Sequence, residues 1–288
     1  MFTGARPHTR LIILSFFTCL LLLVWYASFK TPSVEEQHLK IHFLNVGQGD
    51  AILIESPSGI QVLVDGGPDN SVLRELGKKM SFFDRHIDMV VATHPDADHI
   101  GGLIDVLNRY KIENILYTNN KSETAVSDMY QNMLQQEGAV PILARYGQVF
   151  DLGAGVFLKV LFPIFDTTDI ESNASSIILK VVYGDTKFLF TGDSPKRIEE
   201  YLVVQGIDVK SDVLKVGHHG SRTSTSKMFL TAVKPQYAVI SAGKDNRYEH
   251  PHLEVTDMLF NHGVKILSTA EEGTISFESD GRRVWREE

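Results

Sequence analysis

The segment His94-Pro95-Asp96-Ala97-Asp98-His99 constrains this chain more than any other, because it places two imidazoles and two carboxylates within six residues. It lies between an apolar run, Met89–Ala92, that predicts a buried strand, and a run, Ile100–Tyr110, that predicts a helix. A carboxylate that caps the helix would account for Asp98 and leave the other three side chains unexplained. The two pairs of ligand-type residues at one strand end therefore indicate a metal site and suit two metal ions.

The first 30 residues differ in kind from the rest of the chain. Arg6 and Arg10 precede Leu11–Phe29, an uncharged run of 19 residues, and Lys30 follows it. A helix of that length roughly spans the hydrocarbon core of a bilayer, and basic residues on its N-terminal side place the following chain outside the cytoplasm. The segment predicts a single-pass membrane anchor. The alternatives are a signal peptide cleaved near Ala27, which would give a secreted protein, and a buried core helix.

The remainder of the chain predicts one α/β domain. Three short β-rich runs, Leu39–Leu44, Ala51–Glu55 and Ile60–Val64, indicate an antiparallel meander. Helical and strand-like runs then alternate as far as Thr274–Glu278, which predicts two mixed sheets packed face to face with helices outside. We therefore divide the chain into an anchor or signal segment (residues 1–30), a linker (31–38) and a catalytic domain (39–288).

Charge and cysteine content limit the function. Cys19 is the single cysteine, which excludes an intramolecular disulfide and a cysteine-rich zinc site. The formal net charge of −8 would repel nucleic acid unless a local basic patch or bound cations attract it. The stretch from Leu214 to Arg247 is such a patch or an ordinary solvated face. Its six basic residues against one acid are Lys215, Arg222, Lys227, Lys234, Lys244 and Arg247.

The metal-site motif resembles that of the metallo-β-lactamase superfamily, because Gly101-Gly102 follows the His-x-Asp-x-Asp-His pattern. Together with further blocks it resembles the C-terminal hydrolase domain of the ComEC/Rec2 competence proteins, over nearly all of residues 39–278. The resemblance implies a four-layer αββα sandwich and a metal-dependent hydrolase. The further blocks are Asn45–Ala51, Leu63–Gly67, Phe190–Asp193, Lys215–Ser221 and Asn246–Pro251.

The resemblance also implies two metal sites. The ligands would be His94, Asp96 and Asp193 at the first site, and Asp98, His99 and His218 at the second, with Asp193 as the bridge. The chain departs from the superfamily pattern, because Asp96 stands in place of a histidine and no histidine occurs between His99 and Asp193. Asn173 or a water could complete the first site. Such an oxygen-rich ligand set makes Mn²⁺ or Mg²⁺ plausible beside Zn²⁺.

Further residues receive expected roles. From an extended loop only one of the adjacent His218 and His219 can easily face the metals, and we expect it to be His218. Asp98 and His250 are the expected catalytic residues, and His250 would ligate metal or protonate the leaving group, since the ordinary pKa of histidine suits acid–base work. Residues expected to support the ligands or contact substrate are Asp65, Asn173, His219, Ser221 and Arg222.

These features predict an extracytoplasmic, metal-dependent phosphodiesterase or nuclease. Its partner would be DNA or another phosphodiester, with the membrane bound through the N-terminal helix. Two metal ions would clamp the attacking and leaving oxygens of an in-line displacement. A hydrolase of a lactam, lactone or thioester remains open, as does a phosphoesterase acting on wall polymers, because the fold does not fix the function. A non-catalytic, metal-binding envelope factor is the third alternative.

Overall fold

The computed structural model describes residues 7–28, 38–136 and 138–287. The chain divides into two compact units, residues 1–36 and 37–288. In the first unit, α1 spans Pro7–Ser28, where the sequence predicts a helix. Within the described part of the chain, no helix is both long enough and apolar enough to cross a membrane. Residues 1–6 and 29–37, including most of the predicted linker, lie outside the described residues, and the anchor stays a prediction.

The second unit contains fifteen strands and seven helices among its described residues. The strands are β1 (Leu39–Phe43), β2 (Ile52–Glu55), β3 (Gln61–Val64), β4 (His86–Ala92), β5 (Lys111–Tyr117), β6 (Val140–Leu143), β7 (Val149–Asp151), β8 (Val156–Phe162), β9 (Ile178–Tyr183), β10 (Thr186–Phe190), β11 (Val213–Lys215), β12 (Tyr237–Ile240), β13 (Lys265–Ser268), β14 (Ile275–Ser279) and β15 (Val284–Arg286). The helices are α2 (Ser71–Lys79), α3 (Ala97–Arg109), α4 (Ala125–Gln136), α5 (Lys196–Val204), α6 (Lys227–Val233), α7 (Leu253–Asn261) and α8 (Thr269–Glu272). Short 3-10 turns lie at Ser172–Ser175 and Gly217–Gly220.

The strands form two mixed sheets. The first has the order β15-β14-β1-β2-β3-β4-β5-β6, and the second has the order β13-β12-β11-β10-β9-β8-β7. In the first sheet the pairs from β3 to β6 are parallel, and in the second the pairs from β10 to β13 are parallel. The remaining pairs are antiparallel, including the predicted β1–β2–β3 meander.

Three apolar cores hold the layers together. One core lies between the sheets and joins residues such as Phe43 of the first sheet to Phe190 of the second, whose rings meet edge to face at 5.9 Å. A second core packs α2, α3 and α4 on the first sheet, and a third packs α5, α6 and α7 on the second. Burial of both faces of each sheet requires nearly continuous apolar strands such as β3 and β10. The predicted pair of mixed sheets with outer helices is confirmed.

The parallel strands decide where polar loops can meet. Because parallel strands end at the same sheet edge, the loops after β3 and β4 lie together, and so do those after β10, β11 and β12. These loops carry Asp65, His94, Asp193, His219 and His250 in that order. The fold therefore gathers, at one edge, residues that are up to 185 positions apart in the sequence.

Element boundaries differ from the predictions in two informative places. Helix α3 begins at Ala97 rather than Ile100, which puts Asp98 and His99 in its first turn. Strands β6 and β7 were not predicted. They are short sheet-edge strands, β6 contains Pro141, and their side chains are mostly exposed or half-buried, so the alternation that indicates a strand is missing.

Candidate metal centre

Four side chains converge at the carboxyl edge of the parallel strands. Asp98, His99, Asp193 and His219 each offer one ligand atom, and these four atoms lie within 4.8 Å of one another. Asp193 is central: its Oδ1 lies 3.3 Å from His99 Nε2, and its Oδ2 lies 3.3 Å from His219 Nε2. His219 Nε2 also lies 3.4 Å from Asp98 Oδ2. These residues come from α3, the end of β10 and the end of β11.

Hydrogen bonds on the far side of both imidazole rings fix their orientation. His99 Nδ1 donates to Asp65 Oδ2 at 2.8 Å, and His219 Nδ1 donates to the Ser241 carbonyl at 2.8 Å. With the proton on Nδ1, each Nε2 presents its lone pair to the cluster. Both Nε2 atoms are buried and have no hydrogen-bond partner, and neither does Asp193 Oδ1. Buried polar atoms left unpaired around one point fit a metal ion.

Asp65 and two glycines shape the floor of this site. Asp65 adopts a left-handed backbone conformation with φ 59° and also accepts hydrogen bonds from Thr93 N at 2.8 Å and Thr93 Oγ1 at 2.7 Å. A Cβ at Gly102 would collide with the carbonyl oxygen of Gly66. The Gly-Gly pair after the motif therefore lets α3 approach the loop after β3 closely enough for His99 to reach Asp65.

A buried ion pair that the sequence did not reveal lies beneath the cluster. Lys215 Nζ pairs with Asp50 Oδ2, donates to the Gly192 carbonyl at 3.1 Å and lies 3.7 Å from Asp193 Oδ1. Lys215 is fully buried, so its inclusion in an exposed basic patch was wrong. Burial opposes the charge on Asp50, yet Lys215 and His219 lower the pKa of its carboxyl below the ordinary value.

The charge of the cluster also fits a cation. Asp193 is buried, and burial alone would raise its pKa, but His219 and His99 hold the pKa well below its ordinary range. Conversely, against the effect of burial, Asp193 raises the pKa of both histidines well above the ordinary value. The carboxylates of Asp50, Asp65, Asp98 and Asp193 contact the two imidazoles, whereas the single lysine ammonium contacts only Asp50 and Asp193. Without an ion, protons on His99 and His219 balance part of the negative charge of these carboxylates. A divalent ion would take the place of those protons.

Three other predicted ligands lie beside the four-residue cluster. His94 Nε2 is buried without a hydrogen-bond partner and lies 3.7 Å from Asp96 Oδ2. Burial, together with His99, lowers the pKa of His94 to about 3, which keeps the imidazole neutral as a ligand must be. His218 Nε2 lies 3.6 Å from Asp193 Oδ2. The structure thus brings all six predicted ligands to one place, and the second ion stays a prediction.

The structure brings both adjacent histidines to Asp193, whereas the sequence predicted that only His218 would face the metals. His218 and His219 are not in extended backbone but in the left-handed region, with φ values of 47° and 53°. Both Nε2 atoms therefore approach the same oxygen of Asp193. His219 is buried within the four-residue cluster, whereas the His218 side chain is 26% exposed and its Nδ1 contacts Thr223 Oγ1 at 3.1 Å.

Asn173 lies in a turn that supports the site. Its Oδ1 is buried without a hydrogen-bond partner. In the same turn, Ser172 Oγ donates to Asp96 Oδ1 at 2.6 Å, and Ser176 Oγ accepts from Asp193 N at 3.1 Å. The turn and the residue after it therefore contact two of the predicted ligands, Asp96 and Asp193.

The loop after β12 covers the histidine side of the site. His250 lies with its ring centroid 5.5 Å from that of His218 and 6.3 Å from that of His219. Burial and these histidines lower the pKa of His250 to about 4, so the imidazole is neutral near pH 7 and is poorly suited to hold a proton for a leaving group. Ser221 is buried, and Arg222 is exposed with its backbone N–H donating to His252 Nδ1.

Two clefts open at this edge of the fold. One, of about 460 Å³, is lined by Asp98 together with Arg247 and Tyr248 of the loop after β12. The other, of about 680 Å³, is lined by His250 together with Lys244. The Asp98 side chain is 32% exposed, so the metal cluster is open on the side of the first cleft. Access to the ligands from solvent suits a catalytic metal site, because structural zinc sites are closed by their protein ligands.

Three known proteins are similar to this chain over most of its length. ComE operon protein 3 of Bacillus subtilis (strain 168) is 31% identical over 261 residues, which cover 84% of this chain and 33% of that protein. Competence protein ComA of Neisseria gonorrhoeae is 33% identical over 260 residues, covering 89% and 35%. Recombination protein 2 of Haemophilus influenzae is 29% identical over 241 residues, covering 82% and 28%. The chain spans about a third of the length of these relatives, and its predicted resemblance to them is confirmed.

Solved structures share the fold at lower identity. The metallo-beta-lactamase fold protein YhfI from Bacillus subtilis has a TM-score of 0.55 at 14% identity, covering 84% of this chain and all of YhfI. CmlA, a diiron beta-hydroxylase from Streptomyces venezuelae, has a TM-score of 0.54 at 15% identity, covering 89% and 55%. Residues 44–244 match the family model described as the metallo-beta-lactamase superfamily. The chain belongs to the metallo-beta-lactamase superfamily, a fold that implies binding of divalent metal.

Proposed function

We propose that this protein is a metal-dependent phosphodiesterase that cleaves DNA. The observation that carries the proposal is the cluster of Asp98, His99, Asp193 and His219, whose unpaired ligand atoms lie beside a cleft that contains Arg247. A cation next to an exposed guanidinium suits a substrate that carries negative charge, as a phosphodiester does. The names competence protein and recombination protein among the relatives favour DNA over other phosphodiesters.

The residues of the site have different roles in the proposed reaction. Divalent ions at such a site act as Lewis acids on a phosphoryl group and lower the pKa of water, with Zn²⁺ or Mn²⁺ as the first candidates and Mg²⁺ as a third. Asp65 and the Ser241 carbonyl hold the two imidazoles with Nε2 inward. Asp98 is the partly exposed carboxylate at the mouth of the cleft. Although burial opposes its charge, His219 and His99 hold the pKa of Asp98 well below its ordinary value, so it stays ionised and can accept a hydrogen bond that orients the attacking water. His250, neutral at pH 7, can donate a hydrogen bond to a phosphate oxygen.

Basic side chains supply the long-range attraction for DNA. Arg222, Lys227, Lys244 and Arg247 are exposed on the loops and helix start that follow β11 and β12, at the edge of the sheet that carries the metal cluster. Lys234 lies at the other end of α6, about 10 Å away along the helix axis, so it contributes less. The basic track is therefore shorter than the sequence alone indicated.

We place the catalytic domain outside the cytoplasm, held by α1. The support is the pair Arg6 and Arg10 before the uncharged run Leu11–Phe29, which follows the positive-inside rule. Protease added to cells stripped of their outer layers should digest residues 39–288 while a cytoplasmic marker survives. Survival of both would refute this topology.

The enzyme activity can be tested with the full chain purified in detergent. Hydrolysis of single-stranded DNA, plasmid DNA and bis-p-nitrophenyl phosphate should require Mn²⁺, Zn²⁺ or Mg²⁺, and Asp193→Asn should lower kcat/KM by roughly 100-fold or more. The adjacent histidines form a matched pair. His219→Ala should lose at least one bound ion by elemental analysis, whereas His218→Ala should lose less. Absence of cleavage of every phosphodiester across the three metals would refute the proposal.

The same assay separates the alternatives. Hydrolysis of nitrocefin, a lactone or a thioester without DNA cleavage would assign the site to small carbonyl substrates. Hydrolysis of a polyol phosphate polymer with intact DNA would assign it to wall polymers. Bound metal without any turnover would indicate a non-catalytic envelope factor, although the exposure of Asp98 is unlike a closed structural site.

A further inference from the structure

The cleft beside Asp98 has features that metal binding does not require. Its walls combine the apolar surfaces of Pro68 and Ala97 with Tyr248, Arg247 and the amide of Gln48. The volume of about 460 Å³ lies within the range of small-ligand sites. An apolar slot with a cation and a few amide groups at one end matches a planar base joined to a phosphate.

Tyr248 and Arg247 form the outer wall of this cleft. The Tyr248 side chain is 45% exposed, and its ring is stacked on that of His250, with centroids 5.6 Å apart and an angle of 21° between the planes. The Arg247 guanidinium lies over the Tyr248 ring, with Cζ 4.7 Å from the centroid, and donates to the tyrosine hydroxyl. Because the exposed guanidinium covers a face of the Tyr248 ring, a planar group can stack there when Arg247 leaves the ring to bind a phosphate.

Asn246 holds this wall in a fixed shape. Its Oδ1 accepts hydrogen bonds from Tyr248 N at 3.2 Å and His250 N at 3.0 Å, and its Nδ2 donates to the Gly243 carbonyl at 2.9 Å and the His250 carbonyl at 2.6 Å. Gln48 joins the loop to the opposite wall, because its Oε1 accepts from Gly243 N at 3.1 Å while its Nε2 has no partner. The loop is therefore preorganised for a ligand, which reduces the entropy lost on binding.

We propose that this cleft is a nucleotide subsite, in which the base beside the scissile phosphate stacks on Tyr248 and Arg247 binds the phosphate. The inference deepens the proposed phosphodiesterase activity and rests on it for the position of the scissile bond. Stacking on an aromatic ring tolerates every base, so the subsite recognises that a nucleotide is present rather than which one. Arg247 and the metal-cluster residue Asp98 line the same cleft, so a phosphate bound by the guanidinium would share that cleft with the metal cluster.

Binding of thymidine 5′-monophosphate to the full chain, measured by calorimetry, tests the subsite without turnover. Tyr248→Ala should weaken binding by roughly 5- to 150-fold, the range for loss of one base–aromatic stack, while Tyr248→Phe should stay within about twofold. Phe83→Ala is the matched control, because Phe83 is 88% exposed and belongs to the loop between α2 and β4. Ribose 5-phosphate, which lacks a base, should bind the wild-type protein and Tyr248→Ala equally.

Two diesters with the same leaving group separate this inference from the proposed function. Thymidine 5′-(p-nitrophenyl phosphate) carries a base and methyl p-nitrophenyl phosphate does not. Tyr248→Ala should reduce the ratio of kcat/KM for the first to that for the second by the factor seen in binding. An unchanged ratio with wild-type turnover of both would overturn the subsite and leave the phosphodiesterase intact. Base-dependent binding through Tyr248 without hydrolysis of either diester would uphold the subsite and refute the activity.

Discussion

Replacement of Asp65 by asparagine tests how the protein controls the His99 imidazole. Asp65 accepts from His99 Nδ1, Thr93 N and Thr93 Oγ1, all within 2.8 Å. Asparagine tolerates the left-handed backbone at this position and has the same shape as aspartate. Its carbonyl can still accept from Thr93, which leaves the amide N–H₂ facing His99. The imidazole proton must then move to Nε2, where it points at Asp193 and blocks ligation.

The expected loss of metal affinity follows from this change of tautomer. Removal of a group that orients a metal-bound histidine weakens metal binding by roughly 10- to 100-fold, or about 1.4 to 2.7 kcal/mol. At a fixed metal concentration above both dissociation constants, the metal-induced stabilisation falls by the same amount. For a domain of this size, the difference corresponds to a reduction of roughly 3 to 11 °C in the rise of Tm on metal addition.

Thermal unfolding with and without Mn²⁺ or Zn²⁺, together with metal titration, measures this effect. The Tm of Asp65→Asn in chelator should lie near that of the wild-type protein, because shape and backbone are kept. Asp212→Asn is the control, since Asp212 precedes β11, at the opposite end of that strand from the metal cluster, and accepts from Lys187 N. If Asp65→Asn binds metal as tightly as the wild-type protein does, the tautomer argument is wrong.

Three further predictions concern buried charge and substrate attraction. Burial raises the pKa of Glu199 to about 8, so the folded state keeps a proton that the unfolded state releases above about pH 4.5. The stability that this proton contributes is therefore complete below pH 4.5 and is lost as the pH rises to 8. Glu199→Gln should abolish that loss of stability, which has an upper limit on the order of 5 kcal/mol. The measurement is Tm against pH in the presence of chelator, and parallel profiles for the variant and the wild-type protein would contradict the prediction. Lys215→Met should lower the free energy of unfolding, measured by chemical denaturation, by about 3 to 5 kcal/mol. Adding Asp50→Asn to that variant should restore part of the loss, because the unpaired carboxylate is removed. Additive losses of free energy from the two substitutions would disprove the pairing. The double variant Arg222→Ala with Lys227→Ala should raise KM for DNA, with little change in the hydrolysis of a small diester. The slope of log binding constant against log salt concentration should fall in magnitude by about one for each lost phosphate contact. An unchanged slope would show that neither side chain binds DNA.

The sequence determined the fold class and the location of the site, because both depend on local patterns. Apolar strands and amphipathic helices in this order can bury their surfaces only as sheets covered by helices. The His94–His99 segment likewise carries four ligand-type side chains between a strand and a helix, and the structure gathers all four at one edge. The resemblance to the superfamily implied Asp193 as a ligand, and the structure puts its carboxylate within the cluster.

The tertiary structure decided which side chains face the centre and which carry charge beneath it. The left-handed backbone at His218 and His219 puts both rings beside Asp193, and the residue types in this segment do not predict that conformation. Lys215 was indistinguishable in sequence from the exposed lysines after it, because its burial depends on the packing of β11 between β10 and β12. Its partner Asp50 is 165 positions away in the sequence. Only the meeting of two sheet edges brings these charges together, since the free energy of a buried pair depends on distances that the linear sequence does not contain.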